Sequence, residues 1–207
     1  MSYTYNPIYT HFQGDKISRS ELMERMVVET IQKSKMPDEE RSWGKVFELK
    51  HSSSVAQIGR ILAQKRGLNE EMAVIICAMH DIYVDHTGRV TDHAHKGAEI
   101  AEQMLKKTKK FNKAEIALIV KAIHQHSDKH EKSKNPYVEL VKDADVFDCG
   151  LYTGVHDAYV YEKSPKICKA YFARIKKVRK ELGLPYDARW DKIEFIEQAK
   201  GYEKDKK

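Results

Sequence analysis

The stretch Ala73–His86, AVIICAMHDIYVDH, decides how the rest of the chain is read. Seven small or apolar residues run directly into His80-Asp81, an imidazole and a carboxylate side by side at the edge of a core. An apolar run ordinarily ends in a cap or a turn. A carboxylate left in apolar surroundings is costly, and it becomes neutral, pairs, or binds a cation. The sequence around it must therefore contain the groups that this pair answers to.

The surrounding pattern is helical almost throughout, with no alternating strand. Ile17–Ser34 reads as an amphipathic helix with Leu22, Met26 and Ile31 on a recurring stripe. Trp43–Arg66 follows, with Val55, Ile58 and Leu62 spaced for burial and Gly67 as the stop. A third helix spans Asn69–Asp81, with Asn69 as N-cap, and Asp85–Val90 reads as a turn. Thr91 or Asp92 caps a fourth helix through Lys107. Asn112 with Glu115 forms a capping box for a fifth, which ends near Ser127. Pro136 opens a sixth through about Asp148, closed by Gly150, and helices at Pro165–Leu182 and Ala188–Gly201 complete the chain. The expectation is one all-α domain: a core over 43–150, an N-terminal arm and helix over 1–42 packing on it, and C-terminal helices over 151–207 completing it.

Composition narrows the class. The chain has 207 residues, of which 41% are hydrophobic, enough for a real core. The N-terminal sequence lacks the charged and apolar regions of a signal peptide, and the longest apolar run is too short to span a bilayer. Three cysteines at no motif spacing fit a reducing compartment, so the expected location is the cytoplasm, with Cys77 as a small core residue. A net charge of +6 resides in Lys106–Lys110, Arg174–Lys180 and the C-terminal tail. Aromatic residues do not interleave with those clusters, which weighs against a nucleic-acid partner.

Helical periodicity turns several polar groups inward. His51 precedes Val55 by four residues and Ile58 by seven; Asp145 follows Val141 by four and Val138 by seven. His80-Asp81 closes the third helix, His95 begins the fourth, and His124 and His126 end the fifth. Five consecutive helices thus offer an imidazole or a carboxylate, the ligand types taken by divalent Zn, Mn, Fe, Ni or Co. His93, His130, His11 and His86 read as loop or surface residues, Asp143 as solvent-facing or as the orienter of a ligand histidine, and Asp148 as a residue of the cleft or of the solvated face.

The ordered set of His51 in KHSSSVAQIGRILA, His80-Asp81 in AMHDI and Asp145 in VKDADVFD resembles the HD-domain metal-dependent phosphohydrolases, over roughly Trp43–Gly150. A second His-Asp pair, His156-Asp157, stands outside the pattern. The resemblance implies an HD-type helical bundle with one or two divalent transition metals held by His51, His80, Asp81 and Asp145, Asp81 bridging where a second is present. It implies further ligands at His95 in HKGAEIAEQML and at His126 or His124 in VKAIHQHS. The residues expected to carry catalysis are Asp81, which positions the nucleophile, with His80, His95, Lys96 and Arg89. A lysine common after the His-Asp pair is replaced here by Ile82-Tyr83-Val84, and Arg89, Lys96 or His86 stand as substitutes. The implied substrate is a small phosphorylated molecule such as a nucleotide, with no membrane partner and homodimerisation left open. Two rival readings keep the scaffold: a di-iron oxygenase, and a non-catalytic nucleotide sensor.

Overall fold

Side-chain caps fix where four of the described α-helices begin. The computed structural model describes residues 10–193, which hold nine α-helices, two single 3₁₀ turns (Asp38–Glu40 and Ala188–Asp191) and no strand. Helix α1 (Arg19–Lys33) starts from a reciprocal capping box between Ser18 and Glu21. Helix α2 (Lys45–Arg66) ends at Gly67, whose left-handed φ of +63° closes it. Asn69 accepts from the Met72 amide to open α3 (Glu70–Met79). Asn112 and Glu115 form the second capping box, at the start of α6 (Lys113–Gln125). Helix α7 (Pro136–Cys149) starts on proline, as does α9 (Pro165–Glu181); α8 (Val155–Glu162) lies between them.

Helix α3 is the centre of the bundle. Every residue from Met72 to Met79 is buried, as an all-round apolar helix requires. It is flanked by α1, α2, α6 and α7, while α2 also packs along α7. Helices α5 (His93–Thr108) and α6 form a hairpin, and α9 lies on α7.

The structure departs from the sequence reading at three places. The first half of the expected turn at Asp85–Val90 lies within a short helix, α4 (Ile82–Thr87), and the chain breaks earlier, at His80-Asp81, where Asp81 takes φ −103° and ψ 20°. Val84 and Asp85 are buried, so this turn has a core-facing side, and Gly88 in the left-handed region ends it. Asp92 stands before α5 in the left-handed region (φ 57°), and its side chain makes no capping bond. The inward stripe of α1 is centred on Met23, Val27 and Ile31, with Leu22 and Met26 half-buried on its flank. The expected helix Ala188–Gly201 lies largely outside the described residues, apart from its first turn.

Two buried charge clusters tie the helices that carry the polar residues. Asp143, with no exposure, accepts from Arg66 of α2 at 2.9 Å and from Arg174 and Lys177 of α9 at 2.7 and 2.6 Å. This carboxylate therefore anchors α7, and neither solvent nor a histidine is its partner. The buried Arg41 guanidinium pairs with Glu48 of α2 and donates to Ser34 Oγ at 2.6 Å and to the Val84 carbonyl at 2.9 Å. It thereby joins the end of α1 to α4.

Helices α2 and α3 approach closely at Gly59, where an added Cβ would lie 2.5 Å from the fully buried Cys77 sulfur. Alanine gains about 1 kcal/mol in helix propensity over glycine. Overpacking a rigid core costs about 1–3 kcal/mol, and at this distance the clash dominates. Gly59→Ala should therefore destabilise the protein in urea titration by about 1 kcal/mol or more. Combining it with Cys77→Ala, which removes the clashing sulfur, should restore most of that loss.

Candidate metal centre

Helix ends aim the histidines. The last carbonyls of a helix lack intrahelical donors. His80, at the end of α3, donates Nδ1–H to the Cys77 carbonyl at 2.7 Å. His126, at the end of α6, does the same to Ile123 at 2.7 Å, and His93, at the start of α5, to Val90 at 2.9 Å. A carbonyl can only accept, so each of these Nδ1 atoms carries a proton and each ring turns its Nε2 to the opposite side. His51 is held differently: its Nδ1 lies 2.6 Å from Asp148 Oδ2 on α7, and although burial opposes its charge, Cys149, Asp145 and Asp148 hold its imidazole well above the usual histidine range.

These nitrogens converge on one carboxylate. Asp81 Oδ1 lies 3.4 Å from His93 Nε2 and 3.2 Å from His126 Nε2, and those two nitrogens are 3.1 Å apart. With both rings already donating through Nδ1, that short contact needs a proton or a cation between the two nitrogens, beside a carboxylate oxygen. On the other side, Asp81 Oδ2 lies 3.2 Å from His80 Nε2 and 3.8 Å from His51 Nε2, while Asp145 Oδ1 is 3.4 Å from His51 Nε2. His80 Nε2 and Asp81 Oδ1 are buried without a hydrogen-bond partner. Acceptors crowded on acceptors in a buried site require protons or cations between them. The donor set fits two ions: one among His51, His80, Asp81 and Asp145, the other among Asp81, His93 and His126.

Electrostatics favours cations over protons at the second group. Burial dominates at His126 and, with Lys129 nearby, outweighs the pull of Asp81, so its imidazole is pushed down to about 4. Burial also opposes charge on Asp81, yet His80 and His126 hold its carboxyl well below the usual carboxylate range. Asp145 behaves alike, held down against burial by Lys129 and His51. Both carboxylates are thus ionised at neutral pH beside a neutral His126.

The cleft above these atoms has a volume of about 330 Å³. Trp43, Phe47 and Tyr171 form its apolar wall, and Lys129 and Lys163 bring positive charge. Phe47 stacks on His51, with ring centres 5.2 Å apart. Lys129 is buried and ion-paired with Asp145; burial works against its charge, but Asp145 holds its ammonium above the ordinary lysine range.

Residues 49–150 match the HD domain family. A solved structure has the same helical arrangement: a predicted HD superfamily hydrolase from an uncultured Thermotogales bacterium. It aligns with a TM-score of 0.51 over 81% of this chain and 96% of that one, at 21% identity. The chain belongs to the HD-domain superfamily. No curated protein matches it.

Within this HD domain, the structure brings His51, His80, Asp81, Asp145 and His126 together, and it separates other expected residues from them. His95 is 54% exposed and pairs with Asp92 at 2.7 Å. Its ring lies 4.2 Å from that of His124, which is also exposed on the outer face of the α5–α6 hairpin. His93 occupies the position expected for His95. The reason is helical phase: the buried Ala101 and Gly97, run back by fours, reach residue 93, whereas two residues on turn the side chain about 200° away. The same phase from Ile119 and Ile123 selects His126 over His124. Lys96 donates to the Thr91 carbonyl at 3.4 Å and covers Tyr83, while Arg89 and His86 are exposed; none of the three lines the cleft, where the cations are Lys129 and Lys163. His156 is tied to the Lys192 carbonyl at 3.0 Å and packs on Phe172, a structural role.

Two outcomes test this arrangement. Elemental analysis should find one metal equivalent fewer per chain in His93→Ala and in His126→Ala, with no change in His95→Ala or His124→Ala. In isothermal titration, Asp148→Ala should weaken metal binding by about 10- to 100-fold, because His51 loses the partner that fixes its tautomer.

Proposed function

We propose that this HD domain is a metal-dependent phosphohydrolase with a dinuclear centre, acting on a small phosphorylated molecule of the nucleotide class. The observation that carries the reading is the pair of acceptor groups sharing Asp81, one on each of its oxygens. Such sharing suits two ions bridged by one carboxylate. The ligands are then His51, His80, Asp81 and Asp145 for one ion and Asp81, His93 and His126 for the other. Fe, Mn, Ni, Co and Zn all accept this set of imidazole and carboxylate donors.

The chemistry contributed by bound divalent metal is Lewis acidity, which acidifies water and draws charge from phosphoryl oxygens. The protein's own residues do the rest. Asp81, ionised and set among the histidines, orients the attacking water. Lys129 places a fixed ammonium beside Asp145, facing the cleft, where negative charge grows on a phosphoryl group. Lys129 thus fills the role of the lysine absent after the His-Asp pair. Trp43 and Phe47, set edge to face at 62°, give the cleft aromatic faces suited to a nucleobase or another planar leaving group. Two lysines in the cleft favour an anionic substrate over the small neutral molecule that an oxygenase would take. None of the described helices is long and apolar enough to cross a membrane, which accords with a cytoplasmic enzyme working on soluble metabolites.

Hydrolysis of nucleotides and of aryl phosphomonoesters and diesters, measured across the five metals, tests the reading. Asp81→Ala should lower kcat/KM by about a thousandfold or more, as the loss of both ions removes several kcal/mol of transition-state stabilisation. Lys129→Met should lower kcat by about a hundredfold while leaving the metal content intact. Oxygen uptake by the iron-loaded protein, without phosphate release from any substrate, would point instead to the oxygenase reading.

A further inference from the structure

Cys149 follows Asp145 by four residues on α7, so the two side chains leave the same face of the helix, and both line the cleft. The thiol is directed at Asp145 Oδ1, 3.8 Å away, and that oxygen already faces His51 Nε2 at 3.4 Å. Donor atoms of His51, Asp145 and Cys149 all lie within 4.8 Å of one another. Bonds of about 2.1 Å to oxygen and about 2.3 Å to sulfur span the 3.8 Å separation at an angle of about 120°, an open but ordinary angle between two donors of one ion. Beside this group, His80 Nε2 is fully buried, has no partner and points at the same carboxylates. The chain's other two cysteines differ: Cys77 and Cys168 are buried, whereas Cys149 is half-buried at the cleft.

We propose that Cys149 is a sulfur ligand of the ion held by His51 and Asp145, an inference that rests on the metal-centre reading above. On binding, the sulfur keeps its electron pair for the metal and the thiol proton passes to solvent. A thiolate in the set makes this half of the centre select thiophilic ions such as Zn and Co over Mn and Mg, while the half built from Asp81, His93 and His126 carries no sulfur. The centre is therefore asymmetric, with one soft half and one harder half.

Cobalt(II) provides the test, because its spectrum reports the donors without reference to activity. The full chain loaded with cobalt should show visible ligand-field bands and, in the near ultraviolet, a sulfur-to-cobalt charge-transfer band that disappears in Cys149→Ser. Visible bands without the charge-transfer band would overturn the proposal and leave the metal centre standing. A charge-transfer band that survives in Cys149→Ser would overturn it as well, since the sulfur would then belong to another cysteine. No cobalt spectrum at all would sink both the metal centre and this proposal. A measurement on the unaltered protein covers the case in which Cys149→Ser fails to fold. Iodoacetamide should alkylate Cys149 in the metal-free chain, as read by peptide mass spectrometry, and zinc should slow that labelling at least about tenfold, the scale on which even partners outside the ligand shell alter metal affinity. Equal labelling with and without zinc counts against coordination.

Discussion

Five acceptor atoms crowd the Asp81 carboxylate, and the rest of the structure is arranged so that they stay there. Four imidazole nitrogens and an oxygen of Asp145 face its two oxygens at separations of 3.2–3.9 Å or meet each other beside it. No neutral protein assembles such a cluster for stability, because buried acceptors without donors cost free energy at every site. The cost is relieved where protons or cations lie between the acceptors. The chain holds the cluster in shape from the far side of each ring: three backbone carbonyls at helix boundaries, each three residues away, and one remote carboxylate, Asp148, accept hydrogen bonds from Nδ1.

That device works only if the helices themselves do not shift. Helix α3 carries His80 and is buried all round, so its position is set by packing on every side. Gly59 lets α2 approach close enough to bring His51 opposite His80, whose ring centres lie 5.1 Å apart. Asp143, clamped by three cations from α2 and α9, fixes the rotation of α7, and Asp145 and Asp148 follow from it on the same helix. Arg41 likewise secures α4 directly after Asp81. Buried charge pairs of this kind add little net stability, but breaking one leaves an uncompensated charge; their worth here lies in holding one arrangement.

The cleft adds direction to the centre. Apolar rings line one part, and Lys129 and Lys163 stand near the carboxylates. Lys129 is the more telling of the two. It is paired with Asp145 and also lines the cleft, so an ammonium stands beside the carboxylates where the cavity opens. The thiol of Cys149 gives the same cleft a soft donor on only one side.

Much of this was legible in the sequence. The capping residues Asn69, Asn112 and Pro136 and the stop at Gly67 mark helix ends through local hydrogen bonding and backbone freedom, which need no distant partner. His51 and Asp145 could be placed on inward faces because each shares a helical stripe with apolar neighbours. His93 was also within reach: the expected cap at Thr91 or Asp92 already starts the helix there, and the phase of Gly97 and Ala101 points to residue 93. What tertiary structure alone decided are the pairings between helices far apart in sequence: Asp148 on His51, Lys129 on Asp145, and Asp143 on Arg66, Arg174 and Lys177. The break at His80-Asp81 belongs with them, since burial of Val84 and Asp85 against the core creates a helix where the residues themselves favour a turn. Local bonds leave their mark along the chain, whereas a charge finds its partner only after packing has brought remote helices together.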